Sequence, residues 1–380
     1  MGGFIGKFIC KINKVTLMKI LYITTRIDGM GGLQRVVSDR LNYWTQHTDL
    51  EITLITSNSK QENIYFPLHS SIKTIDISPS EKPLFSFFKY KKQLQNIFKK
   101  GDFDLVLVSD NGLKSVFIPY LLNKKTKIIY ERHVSKTATI QSASSLLRWF
   151  KVPQLLLHFL TKRYSCIVTL TDSEHSYWNH PNLVTIPNPI SFQPLLQSNY
   201  NSKKVIFVGR HSYQKGLDYL ISIWKKIHRE FPDWHLDIYG SFSNEISVSE
   251  WIEQNSLYSS VTLHQPVSNI FEKYSEASIL LMTSRFEGFG LVLVEAMACG
   301  VPCVAFDCPT GPSEIIQNGE NGFLIPCFEE EEFVKQAKKL LTDEHLRKAM
   351  AKKAFQSVEK FQREKIMQQW EELLQKTMFS

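Results

Sequence analysis

The sequence predicts an α/β protein made of two successive units, each with a parallel sheet covered by helices on both faces. Three observations carry that expectation. Short β-branched runs alternate with longer stretches of helical periodicity, the pattern stops once in a segment rich in Pro, Asn and Ser, and it then restarts from a fresh strand. Length agrees, because 380 residues exceed what one hydrophobic core comfortably serves.

The first unit opens with the apolar run MKILYITT (residues 18–25), followed by the turn Asp28-Gly29-Met30-Gly31-Gly32. Leu33, Val36, Val37, Leu41 and Trp44 then share one face of a helix. Strands are expected at 51–56, 105–109, 127–130 and 166–170, with a basic amphipathic stretch at 85–100. Residues 186–203 lack periodicity and mark the junction. The second unit begins with a strand at 204–208 and a helix whose apolar face carries Leu217, Leu220, Ile221, Trp224, Ile227 and Phe231. Further strands fall at 235–239, 261–263, 279–282 and 303–306, and a long helix follows Phe361, with Ile366, Trp370, Leu373 and Leu374 on one side. The division is therefore 1–190, a linker at 191–203, 204–360, and a terminal helix at 361–380 packing back toward the first unit.

Composition narrows the class. Apolar residues at 43% and charged residues at 22% suit a soluble globular chain. The most apolar window, residues 144–160, is interrupted by Arg148, Lys151, Pro153 and His158, so it falls short of the roughly 20 apolar residues of a spanning helix. Residues 1–17 intersperse lysines in an apolar background and lack a secretory cleavage pattern. They read as a surface segment or as an extension ahead of Met18. The six cysteines form no C-x-x-C pair. Cys299, Cys303 and Cys308 have the wrong spacing for a common zinc site, so free thiols in a reducing cytoplasm are expected. Charge is uneven: residues 1–190 hold 25 Lys and Arg against 13 Asp and Glu, while the remainder holds 20 against 24. A basic half without a nucleic-acid-binding motif points to an anionic membrane surface or a phosphate-bearing acceptor rather than to nucleic acid.

The chemistry-bearing residues follow strand ends. After the strand at 279–282 comes Glu287-Gly288-Phe289-Gly290, with Glu295 eight residues beyond Glu287 in a helix starting near Leu291. Glycines let main-chain amides approach a ligand, and a helix start favours an anion. After the strand at 204–208 come Gly209-Arg210-His211 and Gln214-Lys215-Gly216, two cations at a strand-to-helix turn as a phosphate clamp requires. Tyr239-Gly240 closes another strand. Taken singly, these are a solvated acid pair, surface basic residues and an ordinary turn; in this order and spacing they are not.

Together they resemble the retaining glycosyltransferases of family 4, which have the GT-B fold of two Rossmann-like domains facing each other across a cleft. The resemblance spans nearly the whole chain and includes Gly31-Gly32-Leu33-Gln34-Arg35, Glu131-Arg132-His133, Ile186-Pro187-Asn188-Pro189, GRHSYQKG, EGFGLVLVEAMACGVPCVAF and Gly311-Pro312-Ser313-Glu314-Ile315-Ile316. It implies that Arg210 and Lys215 bind the donor diphosphate and that Glu287 sits at the donor sugar. Gly288, Phe289, Gly290 and Leu291 would offer backbone contacts, and Glu295 would accept from the ribose hydroxyls. Val267, Tyr239 and Gly240 would lie near the base, Gly31 and Gly32 would approach from the opposite domain, and His133 would stand near the reacting centre.

The mechanism expected from this resemblance is cleavage of a sugar–phosphate bond, with the departing diphosphate neutralised by Arg210, Lys215 and helix amides rather than by a metal. No Asp-x-Asp pair suited to holding a metal is evident, and no cofactor is expected. The donor is a nucleotide diphosphate sugar, with the GPSEII segment favouring a UDP-hexose or UDP-N-acetylhexosamine. A polyprenyl-diphosphate-linked or other lipid-linked glycan is the expected acceptor, because the basic, apolar stretch at 135–163 suits a membrane surface as well as a packed helix. That places the chain in the cytoplasm, docked at the inner face of the plasma membrane, in bacterial capsule, exopolysaccharide or O-antigen assembly. Two rivals are a nucleotide-sugar epimerase of the same fold and a non-catalytic nucleotide-sugar-binding module.

Overall fold

The computed structural model describes residues 18–57, 64–77, 83–110, 115–123, 125–133, 159–193, 198–242 and 246–379. The N-terminal 17 residues and most of the basic segment at 135–163 lie outside them. Among the described residues, thirteen strands form two sheets, and every pairing between named strands is parallel. The first sheet has the order β3-β2-β1-β4-β5-β6-β7. Its strands are β1 (Lys19–Thr24), β2 (Glu51–Thr56), β3 (Lys73–Asp76), β4 (Leu105–Ser109), β5 (Lys127–Glu131), β6 (Cys166–Thr169) and β7 (Leu183–Thr185). The second has the order β10-β9-β8-β11-β12-β13, from β8 (Lys204–Val208), β9 (His235–Tyr239), β10 (Val261–His264), β11 (Ile279–Met282), β12 (Cys303–Asp307) and β13 (Gly322–Pro326). Both sheets therefore grow outward in two directions from their first strand, the doubly wound pattern.

Central strands such as β4 are buried along their whole length and read as unbroken apolar runs. The three strands not expected from the sequence, β3, β7 and β13, are short and all lie at sheet edges. Helix α1 (Gly32–His47) presents Val36, Val37, Leu41 and Trp44 to the core, with Leu33 half-buried. Helices α2 (Pro83–Gly101) and α3 (Ile118–Leu121) also belong to the first unit.

In the second unit, α4 (Leu217–His228) buries the expected face except for Phe231. Pro232 disfavours helical geometry at the residue before it, so the helix stops early and Phe231 packs half-buried from the following turn. There follow α5 (Val248–Gln254), α6 (Ile270–Glu276), α7 (Leu291–Ala298), α8 (Pro312–Ile315), α9 (Glu330–Thr342) and α10 (Glu344–Ser357). The last helix, α11 (Arg363–Phe379), leaves the second unit and buries Ile366, Trp370, Leu373 and Leu374 among residues of β1, β2, β4 and α1. Trp370 meets Trp44 edge-on, with ring centroids 6.1 Å apart. Of the cysteines, Cys166, Cys299, Cys303 and Cys308 are buried free thiols and Cys327 is half-buried, also free. Burial pushes the Cys299 thiol up to about 12, and no group of acidic, His and Cys side chains fit to hold a metal occurs among the described residues.

Candidate active site

Each sheet reverses its direction of growth between its first strand and the neighbour on the other side, β1 against β4 and β8 against β11. Ligands of open parallel sheets collect outside the strand ends at that point. The loops that leave β1, β8 and β11 there are the ones carrying Gly31-Gly32, Gly209–Gly216 and Ser284–Gly290. By contrast, Asp102 and Asp104 precede β4 at the far edge of the first sheet, where Asp104 accepts from the Lys19 backbone amide at 2.8 Å.

Close backbone approach shapes the second unit's site. Gly240 lies so near Gly209 that a side chain there would collide with the Gly209 carbonyl. Gly216 adopts a left-handed φ of 61° and faces the Thr283 carbonyl with no room for a Cβ. The Thr283 hydroxyl donates to the carbonyls of Lys215 and Gly216 at 3.2 and 2.9 Å. Arg285 grips both Asp218 oxygens at 2.9 and 2.5 Å and lies over the Tyr213 ring. Gln214 donates to the Phe286 carbonyl at 3.0 Å. The two loops are thus braced as one unit, and Lys215 Nζ is held 2.7 Å from Glu287 Oε1. Only 14% of the lysine side chain and 8% of the glutamate side chain reach solvent, so the pair is largely buried. Arg210 is exposed on the same loop and takes part in no ion pair among the described residues. Gly288, Phe289 and Gly290 are buried, and α7 starts from Gly290 at φ 94° with no acidic side chain in its first turn, leaving its amides for an anion.

Contacts across the cleft are direct. Gly32 stands against Leu291, whose Cδ2 would be 3.5 Å from a Cβ at that glycine. Arg35 reaches from α1 to pair with Glu295 on α7. Glu314 accepts the backbone amides of Asp172 and Ser173 at 3.0 and 2.8 Å, joining α8 to the turn after β6. On the base side, Tyr239 stacks on His264 at 4.3 Å, His264 Nε2 is 2.7 Å from Asp237 Oδ1, and Val267 packs on the same apolar cluster as Tyr239. His133 follows β5, with Nε2 3.1 Å from Glu131 Oε2. Burial alone would raise the Glu131 carboxyl, but Arg40 and His133 hold it far below the usual carboxylate range.

One placement differs from the sequence-based expectation. Glu295 does not open onto the cleft: it is 1% exposed, Tyr274 donates to its Oε2 at 3.1 Å, and Arg35 occupies its other side. Sequence reasoning gave no role to Tyr274, Arg285, Asp218 or Arg40. It quoted Arg35 and Glu314 only as motif members. The one available signal was Arg40, a charge seven residues after Leu33 on an otherwise apolar helical face.

Two parallel α/β lobes meeting at their strand ends, with cations gathered at the switch point of one, define the GT-B class of α/β proteins. Residues 192–357 match the family model described as glycosyl transferases group 1. The second lobe is thus similar to that family's domain, and the protein is a glycosyltransferase. The chain is 29% identical over 367 residues to the amylovoran biosynthesis glycosyltransferase AmsD of Erwinia amylovora, covering 94% of this chain and all of AmsD. It is 28% identical over 368 residues to an uncharacterized glycosyltransferase of Haemophilus influenzae, with 94% and 100% covered. Among solved structures, an S. aureus TarM mutant in complex with Fondaparinux, alpha-GlcNAc-glycerol and UDP superposes with a TM-score of 0.76 at 15% identity, covering 94% of this chain and 99% of that one.

Proposed function

We propose that the protein transfers a hexose or N-acetylhexosamine from a UDP-sugar, with retention of anomeric configuration, to a lipid-linked glycan during bacterial surface-polysaccharide assembly. The observation that carries this reading is the Lys215–Glu287 pair, buried at the switch point beside Arg210 and the amides of α7. As the sugar–phosphate bond breaks, negative charge grows on the diphosphate and positive charge on the sugar. Lys215 and Arg210 neutralise the first, and Glu287 faces the second as an orienting and electrostatic group. Donor binding draws Lys215 toward phosphate, so the Lys215–Glu287 ion pair is a preorganised holder for both partners.

Gly31 and Gly32 bring the first lobe's backbone to the phosphates, with His133 near the reacting sugar. The Tyr239–His264 stack and Val267 receive the base, and Glu295 binds the ribose once Arg35 gives way. The transfer needs no metal and no cofactor. The polysaccharide setting is supported by the full-length likeness to AmsD, and the uridine donor by the UDP in the TarM neighbour. The net positive charge of residues 1–190 supports docking at the inner membrane face, although most of the 135–163 segment lies outside the described residues and no described helix is long and apolar enough to cross a membrane.

A panel of nucleotide sugars tests the reading. A UDP-sugar at 100 times its Kd should stabilise the fold by about 2.7 kcal/mol, and its sugar should then appear on an extracted lipid-linked acceptor with undiminished turnover in EDTA. Epimer or free sugar released without acceptor would identify an epimerase, and binding without turnover a sensing module.

A further inference from the structure

A buried charged cluster in the first lobe is left unexplained by the donor chemistry. Arg40, on the core face of α1, and Glu131, at the end of β5, are each fully buried. The guanidinium donates to both carboxylate oxygens, Nη1 to Oε2 at 2.7 Å and Nη2 to Oε1 at 2.6 Å. The Tyr22 hydroxyl, from β1, donates to Oε2 at 3.4 Å. The Trp370 ring of α11 caps the flat face of Arg40, with Cζ 4.1 Å from the ring centroid. Taking two charges out of water is costly, and apolar residues of equal volume commonly stabilise a fold as well or better. Packing therefore gives no reason for this pair.

Its third neighbour does. Glu131 Oε2 also lies 3.1 Å from Nε2 of His133, two residues on, beyond the strand end where the cleft begins. An ionised carboxylate can only accept, so a hydrogen bond made at this contact requires the hydrogen to be on Nε2. In the neutral ring the lone pair is then on Nδ1.

We infer that Glu131 is a positioning residue for sugar transfer, fixing His133 as the Nε2–H tautomer in one ring orientation, and that Arg40 locks Glu131 in place for that purpose. The inference rests on His133 acting at the reacting sugar, as proposed above. Three residues of α1, β5 and the loop after β5, with Trp370 closing the far side, thus form a relay of orientation from the core to the cleft. No proton has to travel along it. A ring held this way meets each substrate with the same nitrogen, whereas a ring free to exchange tautomers would present the wrong one for part of the time.

The decisive measurement uses the full-length native protein labelled with 15N-histidine. The His133 signals are identified by their loss in His133→Gln, and two-bond proton–nitrogen correlations report which nitrogen carries the hydrogen. A protonated Nε2 is expected; an Nδ1–H ring, or rapid averaging of the two forms, overturns the inference. A second arm replaces the pair together, Arg40→Met with Glu131→Gln, so that no charge is left stranded. That variant should lose the fixed tautomer and lower kcat by roughly 10- to 100-fold, the usual scale for losing a histidine's orienting partner, with donor KM changed less than about threefold. Unchanged kcat with a released tautomer would also overturn it. Normal turnover in His133→Gln would instead remove the role of His133 while leaving the tautomer result standing, so the two failures are distinguishable. The native spectrum decides the matter even if the double variant does not fold.

Discussion

Replacing Glu174 with glutamine should make the protein more stable, and only above a definable pH. Glu174 is 2% exposed in the turn after β6, and its Oε2 has no hydrogen-bond partner. Burial pushes its carboxyl from 4.5 up to about 8, with Arg132 pulling down less than burial pushes and Glu314 adding to the rise. Between those two values the unfolded chain has released this proton and the folded chain has kept it. Folded-state stability therefore falls as pH rises through that window, and levels off above it. The span corresponds to about 5 kcal/mol, taken as an upper limit because relaxation and water entry soften such penalties. Glu174→Gln keeps the shape and the acceptor oxygen but removes the titration. Urea denaturation of both proteins at pH 5, 7 and 9 should give similar midpoints at pH 5 and a progressively higher one for the variant at pH 7 and 9. Parallel pH profiles for the two proteins would refute the reasoning.

Four further substitutions have clear directions. Lys215→Ala and Glu287→Ala should each lower turnover by at least ~100-fold in a steady-state transfer assay, the scale for losing one transition-state contact. Gly240→Ala drives a methyl group toward the Gly209 carbonyl, so it should cost about 1–3 kcal/mol in denaturant and weaken UDP binding measured by calorimetry. Trp370→Ala empties a fully buried site between Trp44 and Arg40 and should cost about 3–5 kcal/mol by chemical denaturation.

Much of the architecture was legible from residues alone because buried parallel strands and amphipathic helices write long, regular patterns. The strands β1, β4, β8 and β11, which place the site, are of this kind. What escaped were the edge strands β3 and β7, whose few residues are half solvated and carry no apolar run, and β13, a buried run of only five residues between Gly and Pro. The site divided in the same way. Glycine-rich turns at strand ends signal a ligand loop, so the Lys215 and Glu287 loops were readable before any coordinates. The brace between Arg285 and Asp218 joins residues 67 positions apart, and the Arg40–Glu131 pair residues 91 apart. Spacing along a chain carries no trace of such partnerships. The burial of Glu295 behind Arg35 is likewise a property of two lobes meeting, and neither lobe's sequence records the other's position.

The return of α11 to the first lobe makes the polypeptide cross between lobes twice, once near residue 190 and again after Phe361, whose carbonyl accepts the Ile190 amide at 2.9 Å. The two crossings lie side by side and act as a double strap. Opening of the cleft is thereby guided toward rotation about that strap, while sliding or detachment of one half would tear Trp370 and its neighbours from their seats. It also means that the first half is not encoded contiguously. A fragment ending at residue 190 would lack a wall of its own core, and deleting the last 17 residues should cripple the domain most distant from them in sequence.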